Sequence, residues 1–265
     1  VIHLLTGQSN SLGTTQFEGD TLDQYGPGTD AADADTSLWW DNVSAAADSY
    51  PPLLYGDSGS AWTTLQVQQG GGSDPAFWGP EFGLGRRLSA LGERDFAILK
   101  CSRGGGGNTL WDSTVFATSP DDAHMWGQIV DTTTAAVGAL QAAGYRVELG
   151  GFYYIQGESN TVDEAAVAGE RLQRLIGDVA SLFEELEPGS TATMRTIIGE
   201  IAASDSTGPR ARTTAQQQAL ATGDPAITFV QTSDLPLKED GIHFGKDEKL
   251  EIGQRFADAW VAGGR

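Results

Sequence analysis

Five apolar runs separated by segments of helical periodicity constrain this chain more than any other feature. They lie at residues 1–6, 96–101, 147–155, 193–201 and 226–231, and each is rich in aliphatic, β-branched or aromatic side chains. Runs of this length and character fit strands buried on both faces of a sheet. Residues 80–91, 122–143, 162–186, 209–221 and 246–262 carry helical spacing, the first opening with Gly79-Pro80-Glu81 and the second stopping before Gly144. Strands alternating with helices imply crossover connections and a sheet covered on both faces. The expected fold class is α/β, a three-layer α/β/α sandwich around a central, mostly parallel five-stranded sheet.

With 265 residues, 1–265 reads as a single domain carrying a loop-rich insertion at about 14–78. That stretch is rich in Gly, Asp and Ser, lacks helical period, and is punctuated by Trp39, Trp40, Tyr50, Tyr55, Trp62 and Trp78. It is expected to form long loops packed over one end of the sheet.

Against 16 Lys and Arg stand 36 Asp and Glu, a formal net charge of −20. Such a surface repels phosphate backbones and anionic headgroups, so neither nucleic acid nor a membrane is an expected partner. No apolar stretch has the length of a bilayer span. The oligomeric state is left open. The single Cys, Cys101, follows an apolar run and reads as a small buried residue. Three His and one Cys offer no convincing metal spacing, and no cofactor is expected. The acidic run from Asp30 to Asp35 lacks the turn Gly and closing Glu of a calcium loop, so a solvated acidic loop is expected there. His3 reads as a packing residue within the first strand, and His124 as a solvated cap.

Ligands of parallel sheets sit outside the carboxyl ends of the strands, and three unusual segments fall there. In Thr6-Gly7-Gln8-Ser9-Asn10, Gly7 permits a tight turn that exposes the Ser9 hydroxyl and aims its backbone N–H at a developing oxyanion. Position 11 is Ser, so this is not a Gly-x-Ser-x-Gly elbow. In Ser102-Arg103-Gly104-Gly105-Gly106-Gly107-Asn108, four glycines let backbone N–H groups approach a ligand, without the Gly-Lys-Ser/Thr ending of a phosphate loop. In Gln156-Gly157-Glu158-Ser159-Asn160, a side-chain amide can serve the same oxyanion. Near the C-terminus, Asp240-Gly241-Ile242-His243 sets a carboxylate three residues before an imidazole. The Asp can hold the His tautomer needed to take a proton from Ser9. Each of these residues alone would more often be structural; their shared place on one topology is what points to Ser9, Asp240 and His243 as a catalytic set.

With these segments in hand, the chain resembles the SGNH-hydrolase superfamily, whose fold is flavodoxin-like, and within it the sialate O-acetylesterase-like group that includes family-six carbohydrate esterases (acetyl xylan esterases). Its Gly-Gln-Ser-Asn-Met is matched by Gly7 to Ser11, its Gly-Pro-Glu by Gly79 to Glu81, and its Gly-Gly segment after a Lys-ending strand by Lys100 to Gly107. Its Gln-Gly-Glu-Ser-Asp is matched by Gln156 to Asn160, and its Asp-Gly-x-His by Asp240 to His243. Ser11 replaces the usual Met and Asn160 the usual Asp. The resemblance implies an oxyanion hole from the N–H groups of Ser9 and Gly105 and the Gln156 side chain. Gln8, Asn10, Arg103, Asn108 and Glu158 would bind substrate or brace the site.

The resemblance implies a serine esterase that removes acetyl groups from carbohydrate through an acyl-serine. A neutral sugar suits the charge better than a sialic acid. Trp39, Trp40, Trp62, Trp78 and Trp111 are candidates to stack on sugar rings, with core packing the expectation for most. An SGNH lipase or thioesterase acting on longer acyl chains, and a silent carbohydrate-binding protein, are the alternatives. Val at position 1 fits either a processed precursor or a trimmed chain. Action on polymeric glycans would suit a secreted or periplasmic enzyme, which is the expectation, with the cytoplasm as the alternative.

Overall fold

Each of the five apolar runs becomes a strand of one sheet in the computed structural model, which describes residues 1–15, 29–43, 54–58, 61–68, 77–120, 124–202 and 207–264. In chain order the elements are β1 (Ile2–Gly7), α1 (Ser9–Leu12), β2 (Thr14–Thr15), α2 (Ala31–Asp35), β3 (Ser37–Val43), β4 (Leu54–Asp57), β5 (Thr63–Thr64) and β6 (Phe77–Trp78). There follow α3 (Pro80–Ala90), β7 (Ala97–Ser102), a 3-10 turn at Asn108–Trp111, α4 (Ser113–Thr118), α5 (Met125–Ala142) and β8 (Leu149–Ile155). The chain continues through α6 (Val162–Ala166), α7 (Ala168–Leu186), β9 (Arg195–Gly199), α8 (Pro209–Gly223), β10 (Ile227–Val230) and α9 (Lys246–Ala262).

The five expected strands pair in parallel in the order β10-β9-β8-β1-β7. Numbered along the chain, this is the 2-1-3-4-5 order of flavodoxin-like sheets, whose switch point lies between its strands 1 and 3, here β1 and β8. Alternate side chains feed two cores. Leu4, Leu99, Phe152 and Ile198 pack with Ile129 of α5 and Phe183 of α7. Leu5, Ile98, Tyr153 and Ile197 pack with Phe82 of α3 and Phe256 of α9. Helices on both faces explain why these strands read as unbroken apolar runs rather than alternating ones.

The sheet is wider than five strands. β3 adds in parallel beside β7, from Ser37 opposite Ala97 to Trp40 opposite Lys100, and β4 and β5 run antiparallel to β3. The result is eight strands, so the insertion builds an edge of the sheet rather than only loops over its end. Trp39 enters one core while Leu38 and Trp40 enter the other. That alternation lasts three residues before polar Asp41-Asn42, too short a signal to read as a strand. Tyr50 and the start of the second expected helix, residues 122 and 123, lie outside the described residues.

Other expectations change in detail. The helix expected over 162–186 is two, α6 and α7, broken at Val167 (φ −120°, ψ 15°). The acidic run is not a solvated loop. Asp30 caps α2 by accepting from Ala32 N, and buried Asp33 pairs with Arg86 at 2.7 Å. His124 holds the N-cap position of α5 but is buried against Phe116 rather than solvated. His3 is buried, with Nδ1 2.8 Å from Tyr153 Oη, and burial pushes its pKa down to about 3. Cys101 is buried and free, its thiol pushed well above the usual range by that burial. Trp39, Trp40, Trp78 and Trp111 are core residues, and partly buried Trp62 donates through Nε1 to Ala136 O.

One packing contact fixes where the last loop lies. α3 and α9 cross at Gly83 and Gly253, and a Cβ on either glycine would meet backbone of the other helix at 2.0 Å. This backbone-to-backbone approach seats α9, and with it the segment from Leu237 to Phe244, against the sheet end that carries β1.

Candidate active site

Register brings the three strand-end segments to one level. Gly7 of β1 pairs with Ser102 of β7 on one side and Ile155 of β8 on the other. Only glycine fits at residue 7, since its φ is +146° and a Cβ would sit 2.1 Å from Ile155 O. The chain turns there into α1, whose first residue is Ser9.

Ser9 Oγ lies 2.8 Å from His243 Nε2, and His243 Nδ1 lies 2.8 Å from Asp240 Oδ2. The other Asp240 oxygen accepts from the N–H groups of Ile242 and His243 at 2.8 and 2.9 Å. Partial burial opposes ionisation of Asp240, but the bonds from the His243 N–H, its ring and the Ile242 N–H outweigh it and hold the carboxyl well below the usual range. An ionised Asp240 requires the proton on Nδ1, which leaves Nε2 as an acceptor facing the Ser9 hydroxyl. The three residues that the sequence groups from opposite ends of the chain thus stand in one hydrogen-bonded series.

Asn10 ties the nucleophile turn to the histidine loop. Its Oδ1 accepts from Phe244 N at 3.0 Å, and its Nδ2 donates to Ile242 O at 3.1 Å, so it grips the chain on both sides of His243. The same Nδ2 donates to Glu158 Oε1 at 2.7 Å. Glu158 is buried, its second oxygen meets no partner among the described residues, and burial raises its pKa against the pull of the Asn10 bond. Asn10 and Glu158 are therefore bracing groups beside the Ser9–His243 pair.

Gln8 points to the β8 loop, its Oε1 accepting from Gly157 N and Ser159 N and its Nε2 donating to Ser159 Oγ at 3.2 Å. Gly105 has φ +68° in the half-exposed glycine run, and its N–H meets no acceptor among the described residues. Arg103 N donates to Gly7 O at 3.0 Å, fastening this run to β1. Asn108 is tied at both ends: Nδ2 donates to Glu164 O, and Oδ1 accepts from Arg171 at 2.6 Å. Both ends of its amide thus brace the loop. Gln156 Oε1 accepts from Tyr154 Oη at 2.9 Å, while Nε2 donates to Asn160 Oδ1 at 2.8 Å and reaches Gly106 O at 3.4 Å.

Beneath α1 lies a support that motif reading does not find. Ser11 Oγ is 2.7 Å from Ser102 Oγ, a contact open to the small Ser11. Lys100 Nζ donates to Leu12 O, and Lys249 Nζ to Gly13 O, so two buried lysines hold carbonyls at the C-terminal end of the Ser9 helix. Buried lysines in a −20 chain are signals only when their partners are known. Arg171, which pairs with Asp112 and fixes Asn108, is likewise silent in sequence.

Comparison with known proteins bears on the fold and the family. A search of curated proteins finds no match. Among solved structures, a protein from Arabidopsis thaliana superposes with TM-score 0.67 at 17% identity, over 98% of this chain and 97% of that one. A carbohydrate acetylesterase from Xanthomonas citri gives 0.62 at 17% identity over 97% of this chain and 55% of its own, and NanS gives 0.60 at 16% over 98% and 96%. At these identities the likeness is one of fold. The family model described as carbohydrate esterase, sialic acid-specific acetylesterase, matches residues 1–262, so the chain belongs to that family and is a carboxylic ester hydrolase.

Proposed function

We propose that this esterase removes acetyl groups from neutral O-acetylated glycans, acetylated xylan among them, through an acyl-serine on Ser9. The observation that carries the mechanism is the unbroken series Ser9 Oγ, His243 Nε2, His243 Nδ1, Asp240 Oδ2, with both links at 2.8 Å. His243 takes the Ser9 proton as Oγ attacks the acetyl carbon, and the carbonyl electrons move to oxygen. The oxyanion is met by the N–H groups of Ser9 and Gly105 and by the Gln156 amide. Collapse breaks the ester bond, and the imidazolium returns the proton to the sugar oxygen. Water then attacks the acetyl-serine with His243 again as base, releasing acetate and restoring Ser9. Asp240 stays ionised throughout and stabilises the imidazolium.

A net charge of −20 supports a neutral sugar over an anionic one. The test is acetate release from acetylated xylan, an O-acetylated sialic acid, and p-nitrophenyl esters of two to eight acyl carbons. The expected order is a preference for acetyl over longer chains and for xylan over the sialic acid. A rising rate with acyl length would replace this reading with that of a lipase. Preference for the sialic acid would keep the mechanism and overturn the neutral substrate.

A further inference from the structure

Gln156 carries an amide whose two ends differ chemically, and only one of them can serve an oxyanion. Presented by nitrogen, it stabilises negative charge; presented by oxygen, it repels it. Backbone placement alone does not decide the matter, because rotating the terminal amide by half a turn exchanges the two at little cost. The surrounding bonds decide it. Tyr154 Oη donates to Oε1 at 2.9 Å, but a hydroxyl can donate or accept, so this contact follows the amide rather than fixing it. At the other end stands Asn160 Oδ1, 2.8 Å from Nε2.

Asn160 is itself locked. Its Oδ1 also accepts from the backbone N–H of Asn108 at 2.9 Å, and its Nδ2 donates to Thr213 Oγ1 at 3.1 Å. A backbone N–H only donates, so Asn160 cannot turn its nitrogen toward Asn108, and its oxygen must also face Gln156. The Gln156 nitrogen is thereby held on the side of the glycine run. One of its hydrogens is spent on Asn160, and the other has only the 3.4 Å approach to Gly106 O. Gln217 of α8 fixes the backbone of the same residue by donating to the Gln156 main-chain carbonyl at 2.9 Å.

We infer that Asn160 is a positioning residue for ester hydrolysis: its carbonyl oxygen, aimed by the Asn108 N–H, orients the Gln156 amide so that its weakly used N–H is the one offered to the acyl oxygen. The inference rests on the proposed role of Gln156.

The experiment compares kcat and KM on p-nitrophenyl acetate for wild type, Asn160→Leu, Asn160→Asp, Gln156→Ala and the double variant Gln156→Ala/Asn160→Leu. Thermal unfolding of each serves as the folding control. Asn160→Leu removes the acceptor that holds the Gln156 nitrogen, so the amide is free to turn its oxygen toward the glycine run. The expected loss in kcat is about 100-fold, the scale of removing one oxyanion donor, with KM little changed. Asn160→Asp is expected to recover most of that loss, because it restores an acceptor for both N–H groups. The double variant is expected to match Gln156→Ala, since Asn160 acts through Gln156. Additive losses in the double variant, or a folded Asn160→Asp as impaired as Asn160→Leu, would overturn the inference. A wild-type rate for Gln156→Ala would overturn the oxyanion role of Gln156 itself, a separate outcome.

Discussion

Lys100 Nζ lies 2.7 Å from Glu81 Oε2 with neither side chain reaching solvent, and the same ammonium donates to Leu12 O at 2.8 Å. Burial draws the Lys100 pKa down and Glu81 opposes it. Glu81 spends its other oxygen on Gln68 Nε2 and Gly79 N, each at 2.7 Å. The pair joins the start of α3, the end of the Ser9 helix and the insertion in one network.

Breaking this pair from one side leaves a buried carboxylate and an unpaired carbonyl. Lys100→Met is expected to cost about 3–5 kcal/mol of stability, and Lys100→Met/Glu81→Gln to cost less than the single change. Urea unfolding midpoints decide it. A Lys100→Met protein within about 1 kcal/mol of wild type would mean that the pair is not anchoring the fold.

Asp240→Asn keeps an oxygen for the Ile242 and His243 N–H groups but offers an amide N–H to His243 Nδ1. The imidazole would then carry its proton on Nε2 and could not accept from Ser9. The expected fall in kcat is on the order of 10⁴-fold, with the loop still folded. A fall of less than about ten-fold would show that Asp240 does not set the tautomer.

The lowered pKa of His3 has a consequence for acid stability. An unfolded histidine takes up a proton near pH 6.5, whereas in the fold His3 resists it until about pH 3, because burial and then the nearby N-terminal ammonium penalise its charge. Between these values the unfolded state binds more protons, so the stability contribution is complete above pH 6.5 and is lost as pH falls toward 3. His3→Gln retains a polar partner for Tyr153 but does not titrate. Unfolding curves from pH 7 down to about pH 4 are expected to show wild type losing a few kcal/mol more than the variant. Parallel losses in the two proteins would contradict the assignment.

The parallel core of this fold is legible in sequence because strands buried on both faces leave long apolar runs, and 246–262 coincides with α9. β3 is not, because its Leu38-Trp39-Trp40 alternation is brief and its buried Asn42 is polar until Gln68 and Ser102 satisfy it. In the candidate site, Ser9 is legible from its place after the first strand, and Asp240 and His243 from their spacing of three in the loop before α9. Asn160, Lys100 and Lys249 are not, since their roles reside in which backbone groups they meet, and those partners come from distant parts of the chain.

The central claim is that Ser9 is the nucleophile. Its most direct test is the rate of acetate release from p-nitrophenyl acetate by wild type and Ser9→Ala, measured side by side on folded protein. The account predicts a loss on the order of a thousand-fold or more in the variant. Equal rates would contradict it and remove the acyl-serine mechanism altogether.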